Sequence, residues 1–290
     1  MILVTGATGT LGKEVAKQLV QKKASFKCLV RQSPKAQELE EMGAPVCYGD
    51  ITDEVALKKA MAEVTAVISC HSLGLPKKHI TCWEVDYQGN IDLIEQLKEK
   101  GGGKFVYISA MGVHMQSMFP LYKAKFAIET ALKISGLDYT ILRPSGFFSD
   151  FTMTAKMIQK YHIYPVMGDG NDRIQGIHQA DIATCAIDAL SNKKATDKMF
   201  EMGGPEAFTP NHVAELYSNI LGYQVRTIPV PVLMQKIIGT VADALTGYRY
   251  SVQGFMEAFG GESLCDNGPL LEAFDIELSY FEDYLRDYLR

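Results

Sequence analysis

Gly6, Gly9 and Gly12 fall at three-residue spacing in Val4-Thr5-Gly6-Ala7-Thr8-Gly9-Thr10-Leu11-Gly12. The turn sits between a short β-branched run at the start of the chain and a segment of helical period. In that setting Gly6 allows a tight turn, Gly9 lets the main chain approach a pyrophosphate, and Gly12 lets helix and strand pack closely. The free N–H groups and dipole of the new helix attract the anion. Thr8, Thr10 and Leu11 belong to the same phosphate-binding turn. This is the chemistry of a dinucleotide site.

The second apolar run, 26–30, ends in Arg31, where an NAD site usually carries an acid for the ribose 2′-hydroxyl. A guanidinium cannot accept that bond but pairs with a 2′-phosphate, and Gln32, Ser33 and Lys35 add donors. NADP is therefore expected over NAD; the plainer alternative is a solvated strand-end cation. After the third run comes Gly49-Asp50-Ile51-Thr52-Asp53, in which Asp50 can receive an adenine amino group or simply hold a turn, with Ile51 beside it. The fourth run ends in Ser69-Cys70-His71-Ser72, placing Cys70 and His71 along the nicotinamide ribose. His71 has no evident carboxylate partner and reads as cofactor contact or structural histidine before acid or base.

These residues need a scaffold that gathers strand ends, and the chain supplies one. Apolar runs at 1–5, 26–30, 45–48, 65–70, 104–109 and 138–142 alternate with helical segments, predicting a doubly wound, parallel-sheet α/β Rossmann fold. Leu11, Val15 and Leu19 mark the buried face of the first helix. Asp53 caps a helix through Met61, and Ile91, Ile94 and Leu97 line one that ends at Gly101. Past about residue 150 helices dominate, with strand-like pieces only at 174–177 and 225–228. We therefore expect a core over 1–150 and a small, mainly helical substrate lobe over 151–290, with segments at about 174–191 returning to the core. Asp181 is expected to cap a helix, Pro210 to open another that ends near Gly222, and Phe281, Tyr284, Leu285 and Tyr288 to dock a final one.

Composition narrows the classes. Twenty-nine Lys and Arg against 34 Asp and Glu give a net charge of −5, with no basic block suited to nucleic acid. The longest uncharged stretch, 105–122, is broken by Gly112, His114, Gln116, Ser117 and Pro120 and does not read as a membrane span. Six cysteines without a C-x-x-C pair suggest free thiols in a reducing cytoplasm, and the start of the chain lacks the pattern of a secretory leader. Six scattered histidines give no metal-ligating spacing, so no metal site is expected.

The glycine turn, Leu29-Val30-Arg31, Gly49-Asp50-Ile51-Thr52-Asp53, Val106-Tyr107-Ile108-Ser109-Ala110, Lys125 with Glu129, the run from Ser135 to Pro144, and Ile177-His178 with Asp181 together resemble the atypical short-chain dehydrogenase/reductases, in their NmrA-like, NAD(P)H-binding branch. The resemblance spans nearly the whole chain. It implies fold and cofactor more firmly than reaction, because the branch includes reductases, assembly factors and sensors without turnover. It also implies that Ser109 orients substrate, Lys125 holds the nicotinamide ribose and Pro144 lines the nicotinamide ring. Catalytic relatives carry a proton-donating Tyr four residues before the Lys, but position 121 here is Leu and Tyr122 lies three before Lys125. Three residues still share a helical side, rotated by roughly 100° from the family position. Tyr122 is thus a displaced candidate for proton donor.

The leading expectation is an NADPH-dependent reductase of a small conjugated or carbonyl acceptor, such as a quinone or enone, in an apolar or aromatic pocket. Phe147, Phe148, Phe151, Met153 and Met157 supply either packing or a wall for it. The alternative is a non-catalytic NADP(H) sensor or assembly protein acting on a protein partner. A sugar-nucleotide epimerase ranks last, since that chemistry depends on the tyrosine that is out of place.

Overall fold

Neighbouring residues along each strand point to opposite faces, so a strand covered on both sides is apolar throughout. β1 (Ile2–Thr5) shows this directly: Val4 joins Ile68 and Val106 in one core, while Leu3 joins Val67 and Phe105 in the other. The computed structural model describes residues 1–73, 80–166, 168–231 and 260–290. Within them lies a seven-stranded parallel sheet. Its members are β1, β2 (Phe26–Val30), β3 (Val46–Tyr48), β4 (Ala66–Ser69), β5 (Lys104–Ile108), β6 (Asp138–Pro144) and β8 (Lys198–Met202), in the order β3-β2-β1-β4-β5-β6-β8. This is the Rossmann α/β fold anticipated from the sequence. The order reverses between β1 and β4, and ligands of such sheets bind beyond the strand ends at that point.

Helices α1 (Thr10–Gln21) and α2 (Pro34–Glu41) bury residues in the Val4 core, with α7 (Gln179–Asp188) packed against α1. On the opposite face lie α3 (Glu54–Ala60), α4 (Gly89–Glu99) and α5 (Pro120–Ile134). Asp53 caps α3 as anticipated, accepting from the amides of Val55 and Ala56 at 3.0 and 3.1 Å. A π-helical turn, Trp83–Gln88, leads directly into α4 and packs on α5.

The later part of the chain contains more strand than its pattern suggested. β8 is a seventh member of the main sheet, beyond the return expected over 174–191, and its register pairs Leu142 with Phe200. Its inward Phe200 and Met202 alternate with exposed Met199 and Glu201, a signal diluted by neighbouring lysines. β7 (Ile163–Val166) pairs with β9 (Arg226–Pro229) in a separate parallel ribbon; Pro165 disguised the first of these. The piece at 174–177 forms only isolated bridges, Ile174 to Phe208 and Ser263, and Ile177 to Phe147.

Around the ribbon, a 3₁₀ turn at Phe148–Thr152, α6 (Ala155–Tyr161), α8 (Pro210–Leu221) and the last helix share an aromatic core of Phe148, Phe208, Tyr217 and Phe281. In chain order α9 is Gly268–Ala273 and α10 is Phe281–Leu289, which docks through Phe281 and Leu285. The Asp181 expectation needs correction. His178 caps α7, its Nδ1 accepting from Ala180 N at 2.9 Å, while Asp181 lies in the first turn and accepts from the amide and hydroxyl of Ser279 at 2.8 and 3.0 Å. A long-range partner won the carboxylate from the local cap. Among the described residues no helix is long and apolar enough to cross a membrane. The 232–259 stretch of the expected substrate lobe lies outside the described residues.

Candidate functional site

The glycine turn takes its shape from contacts that leave no room for side chains. Gly6 has φ +73°, and a Cβ there would stand 2.5 Å from the His71 amide nitrogen; one at Gly12 would run into the Gly6 carbonyl oxygen. Gly9 differs, because its Cβ would meet only Gly6 O, at 3.3 Å. It is the N-cap of α1 and brings no side chain to the first-turn amides, which by helix geometry have no intrahelical acceptors. Bare amides in a glycine cradle fit a pyrophosphate.

That cradle floors a cleft of about 630 Å³ at the strand-order reversal. Gly6, Thr8 and Gly9 line its base; Arg31, Asp50 and Ile51 line one side; Cys70 and His71 line the other. Thr10, Leu11 and Gly12 form the first turn of α1 behind it, with Leu11 and Gly12 buried. Arg31 Nε lies 3.7 Å from Asp50 Oδ2, both side chains being exposed. Asp50 also fulfils the turn reading, its Oδ1 accepting from Thr52 N and Oγ1 at 3.0 and 2.9 Å.

His71 is buried and its ring is engaged. Nδ1 lies 2.8 Å from Thr5 Oγ1, and Nε2 lies 3.1 Å from the carbonyl of Val85, which only a protonated Nε2 can satisfy. Burial lowers its pKa below the ordinary histidine value, against the opposing charge of Asp86. Burial pushes the Cys70 thiol up to about 12, so it is no nucleophile.

Ser109 and Pro144 stand at the ends of β5 and β6, Tyr122 and Lys125 on α5, and none of the four is among the residues that line this cleft. Lys125 is 6% exposed; its Nζ donates to Ile108 O at 3.1 Å and stands 5.3 Å from the Tyr107 ring centroid. Burial lowers its pKa, while Asp86 first and then Glu129 work to keep it charged. The Ser109 hydroxyl donates to Glu129 Oε1 at 2.6 Å, and Arg143 Nε donates to the same oxygen at 2.8 Å. The half-buried Tyr122 packs edge-on against Phe119, ring centroids 5.4 Å apart. Pro144 is buried, and its carbonyl accepts from Met111 N at 3.0 Å. Phe148 and Phe151 pack against Phe208 and Phe281 and belong to the core of the lobe.

Sequence reasoning passed over Ser69, Asp86 and Asn90. Ser69 Oγ donates to Asn90 Oδ1 and Asn90 Nδ2 to the Asp86 carbonyl, both at 2.6 Å, beneath His71. The signal was present: 86, 90, 93 and 97 fall on one helical face, and two polar residues interrupt an otherwise apolar stripe.

The model of a family described as NAD(P)H-binding matches residues 6–193, from the cradle through α7. The chain belongs to the NAD(P)H-binding family. That match agrees with the resemblance to the NAD(P)H-binding branch of the atypical short-chain dehydrogenase/reductases carried by the residues above. Among its relatives is a photosystem II assembly factor, Ycf39, of Trieres chinensis, 28% identical over 283 residues, which cover 95% of this chain and 82% of that protein. An NAD(P)H azoreductase of Xenophilus azovorans is 29% identical over 231 residues, 79% of this chain and 77% of the relative. Among solved structures, an NADPH-dependent quinone oxidoreductase of Escherichia coli complexed with NADPH shares the fold at a TM-score of 0.77, with 23% identity and 100% coverage of both chains.

Proposed function

We propose that the protein is an NADPH-dependent reductase of a small, electron-poor conjugated or carbonyl acceptor, quinone-like in character. The observation that carries the reading is the cleft, which joins a glycine-floored phosphate cradle to Arg31 on one side and to Cys70–Leu73 on the other. In it, α1 amides would bind the pyrophosphate, Arg31 would pair with the 2′-phosphate and Asp50 would receive the adenine amino group, while Lys125, outside the cleft lining, would hold the nicotinamide ribose. Arg31 makes NADP the coenzyme of choice over NAD. A reduced nicotinamide supplies a hydride to the acceptor when bound.

The acceptor class follows from what the proton machinery lacks. Ser109 gives its proton to Glu129, and Tyr122 is turned away from the family register, so assistance to a poorly activated carbonyl is weak. Quinones and enones need little acid at the hydride step, and Tyr122 or solvent can complete the proton transfer. An epimerase, dependent on a tyrosine base, is disfavoured by the same two residues. A reducing compartment such as the cytoplasm suits the Cys28 and Cys185 thiols, which burial pushes up to about 12.

A second reading shares the cofactor and drops the chemistry: an NADP(H) sensor that acts on a protein partner. The engaged Ser109 and displaced Tyr122 favour it equally, and one relative is named an assembly factor. Loss of reduced-nicotinamide absorbance with a panel of quinones, enones and aldehydes separates the two. Turnover abolished by Lys125→Ala and reduced by Tyr122→Phe supports the reductase; tight NADPH binding without oxidation across the panel supports the sensor.

A further inference from the structure

Asp86 is completely buried on the π-helical turn, a geometry rare in proteins and frequent at functional sites. Its Oδ2 accepts from the amide of Leu73, a residue that lines the cleft, at 3.0 Å. Its Oδ1 accepts no hydrogen bond within the described protein. A buried carboxylate oxygen without a donor is costly unless a positive charge faces it. The π-turn packs on α5, which carries the buried Lys125; Asp86 is the first of the negative charges that act on this ammonium, which uses one of its three N–H groups on Ile108 O.

We propose that Asp86 is the counterion of the site, the buried negative charge that balances Lys125 beside the cofactor cleft. The inference rests on the reading above that Lys125 contacts the cofactor. It joins two features of one turn: the carboxylate fixes the cleft wall through Leu73 and fixes the charge of α5's lysine. It also accounts for a cation retained in a place where burial works against it. The groups around Lys125 are Asp86 from the π-turn, Glu129 from its own helix, Cys70 and His71 beyond β4, Cys82 before the π-turn and the ring of Tyr107 on β5. Glu129 already serves Ser109 and Arg143, which leaves Asp86 as the carboxylate with an unspent oxygen.

Asp86→Asn separates charge from shape, since an asparagine oxygen can still accept from Leu73 N. NADPH dissociation constants are measured by titration calorimetry from pH 6 to pH 9.5 for the natural protein, Asp86→Asn, Lys125→Met and the double variant. Above pH 7.5, where the 2′-phosphate is fully ionised, the natural protein is expected to keep its affinity to a higher pH than Asp86→Asn does. Asp86→Asn is expected to lose affinity progressively as pH rises, by roughly 10-fold per unit of pKa depression at the alkaline end. In the Lys125→Met background, Asp86→Asn should change little. Asp86→Asn binding with the natural pH profile, while Lys125→Met weakens binding, would overturn the counterion role. Lys125→Met binding NADPH normally would instead overturn the lysine reading beneath it. Should Asp86→Asn fail to fold, the smaller and equally neutral Asp86→Ser is titrated in its place, with the same two outcomes deciding.

Discussion

The hydroxyl of Ser109 lies 2.6 Å from Glu129 Oε1, the oxygen that also receives Arg143 Nε. A serine at the end of β5 is thereby built into an ion pair. Its proton is committed before any substrate arrives, and removing it should cost structure more than chemistry. Ser109→Ala is expected to lower stability by about 1 kcal/mol, the worth of one hydrogen bond, and to change quinone-dependent NADPH oxidation less than threefold. Denaturant titration and initial rates check the two halves.

Glu129 is 1% exposed and Arg143 12% at their side chains, so the pair is broken at high cost. Glu129→Gln leaves a buried guanidinium without its counter-charge, and about 3–5 kcal/mol of stability should be lost. The midpoint of urea unfolding reads this directly. A shift no larger than that of Ser109→Ala would contradict the pairing.

Gly9 and Gly6 should fail differently when given a methyl group. At Gly6 the added carbon meets His71 backbone at φ +73°, so Gly6→Ala should depress the melting temperature and abolish binding together. At Gly9, with φ −82°, the carbon meets only one oxygen at 3.3 Å. Gly9→Ala is therefore expected to fold near normally while NADPH binding falls about tenfold or more, by crowding the approach to the pyrophosphate. Melting curves with and without NADPH distinguish the two cases.

Arg31 and Asp50 set opposite signs at the cofactor end. Arg31→Asp should weaken NADPH binding by about 10- to 100-fold through loss of charge-assisted hydrogen bonds, and NADH binding far less. Asp50→Asn removes the carboxylate 3.7 Å from the guanidinium and should shift the NADPH to NADH preference upward. Calorimetry with each coenzyme tests both; equal loss for both coenzymes in Arg31→Asp would remove its assigned role.

The buried His71 predicts an acid limit on stability. Its pKa is lowered in the folded protein from an ordinary value of 6.5, so the unfolded chain binds the extra proton more readily. His178, lowered by burial in the same way, adds to the effect. Stability from both is complete above that ordinary value and is lost as pH falls below it toward the depressed folded values. Thermal melts from pH 7.5 to pH 5 should show a decline that becomes shallower in His71→Gln, whatever that variant's stability at neutral pH.

Local pattern carried much of the molecule. The parallel strands through β6, the buried face of α1, the α3 boundaries, the cradle glycines and the cation after β2 all follow from short-range rules: apolar runs, helical period and turn chemistry act within a few residues. What the sequence left open depended on partners far along the chain. β8 is a strand because β6 lies beside it, Asp181 serves Ser279 instead of its own helix, and Ser109 gives its proton to Glu129. The charge of Asp86 acts on Lys125 only because a π-turn packs on α5. The sequence by itself determined the fold class and the coenzyme cradle. Tertiary structure alone decided which polar groups are already spent, because a hydrogen bond or an ion pair is set by distance in space and not along the chain.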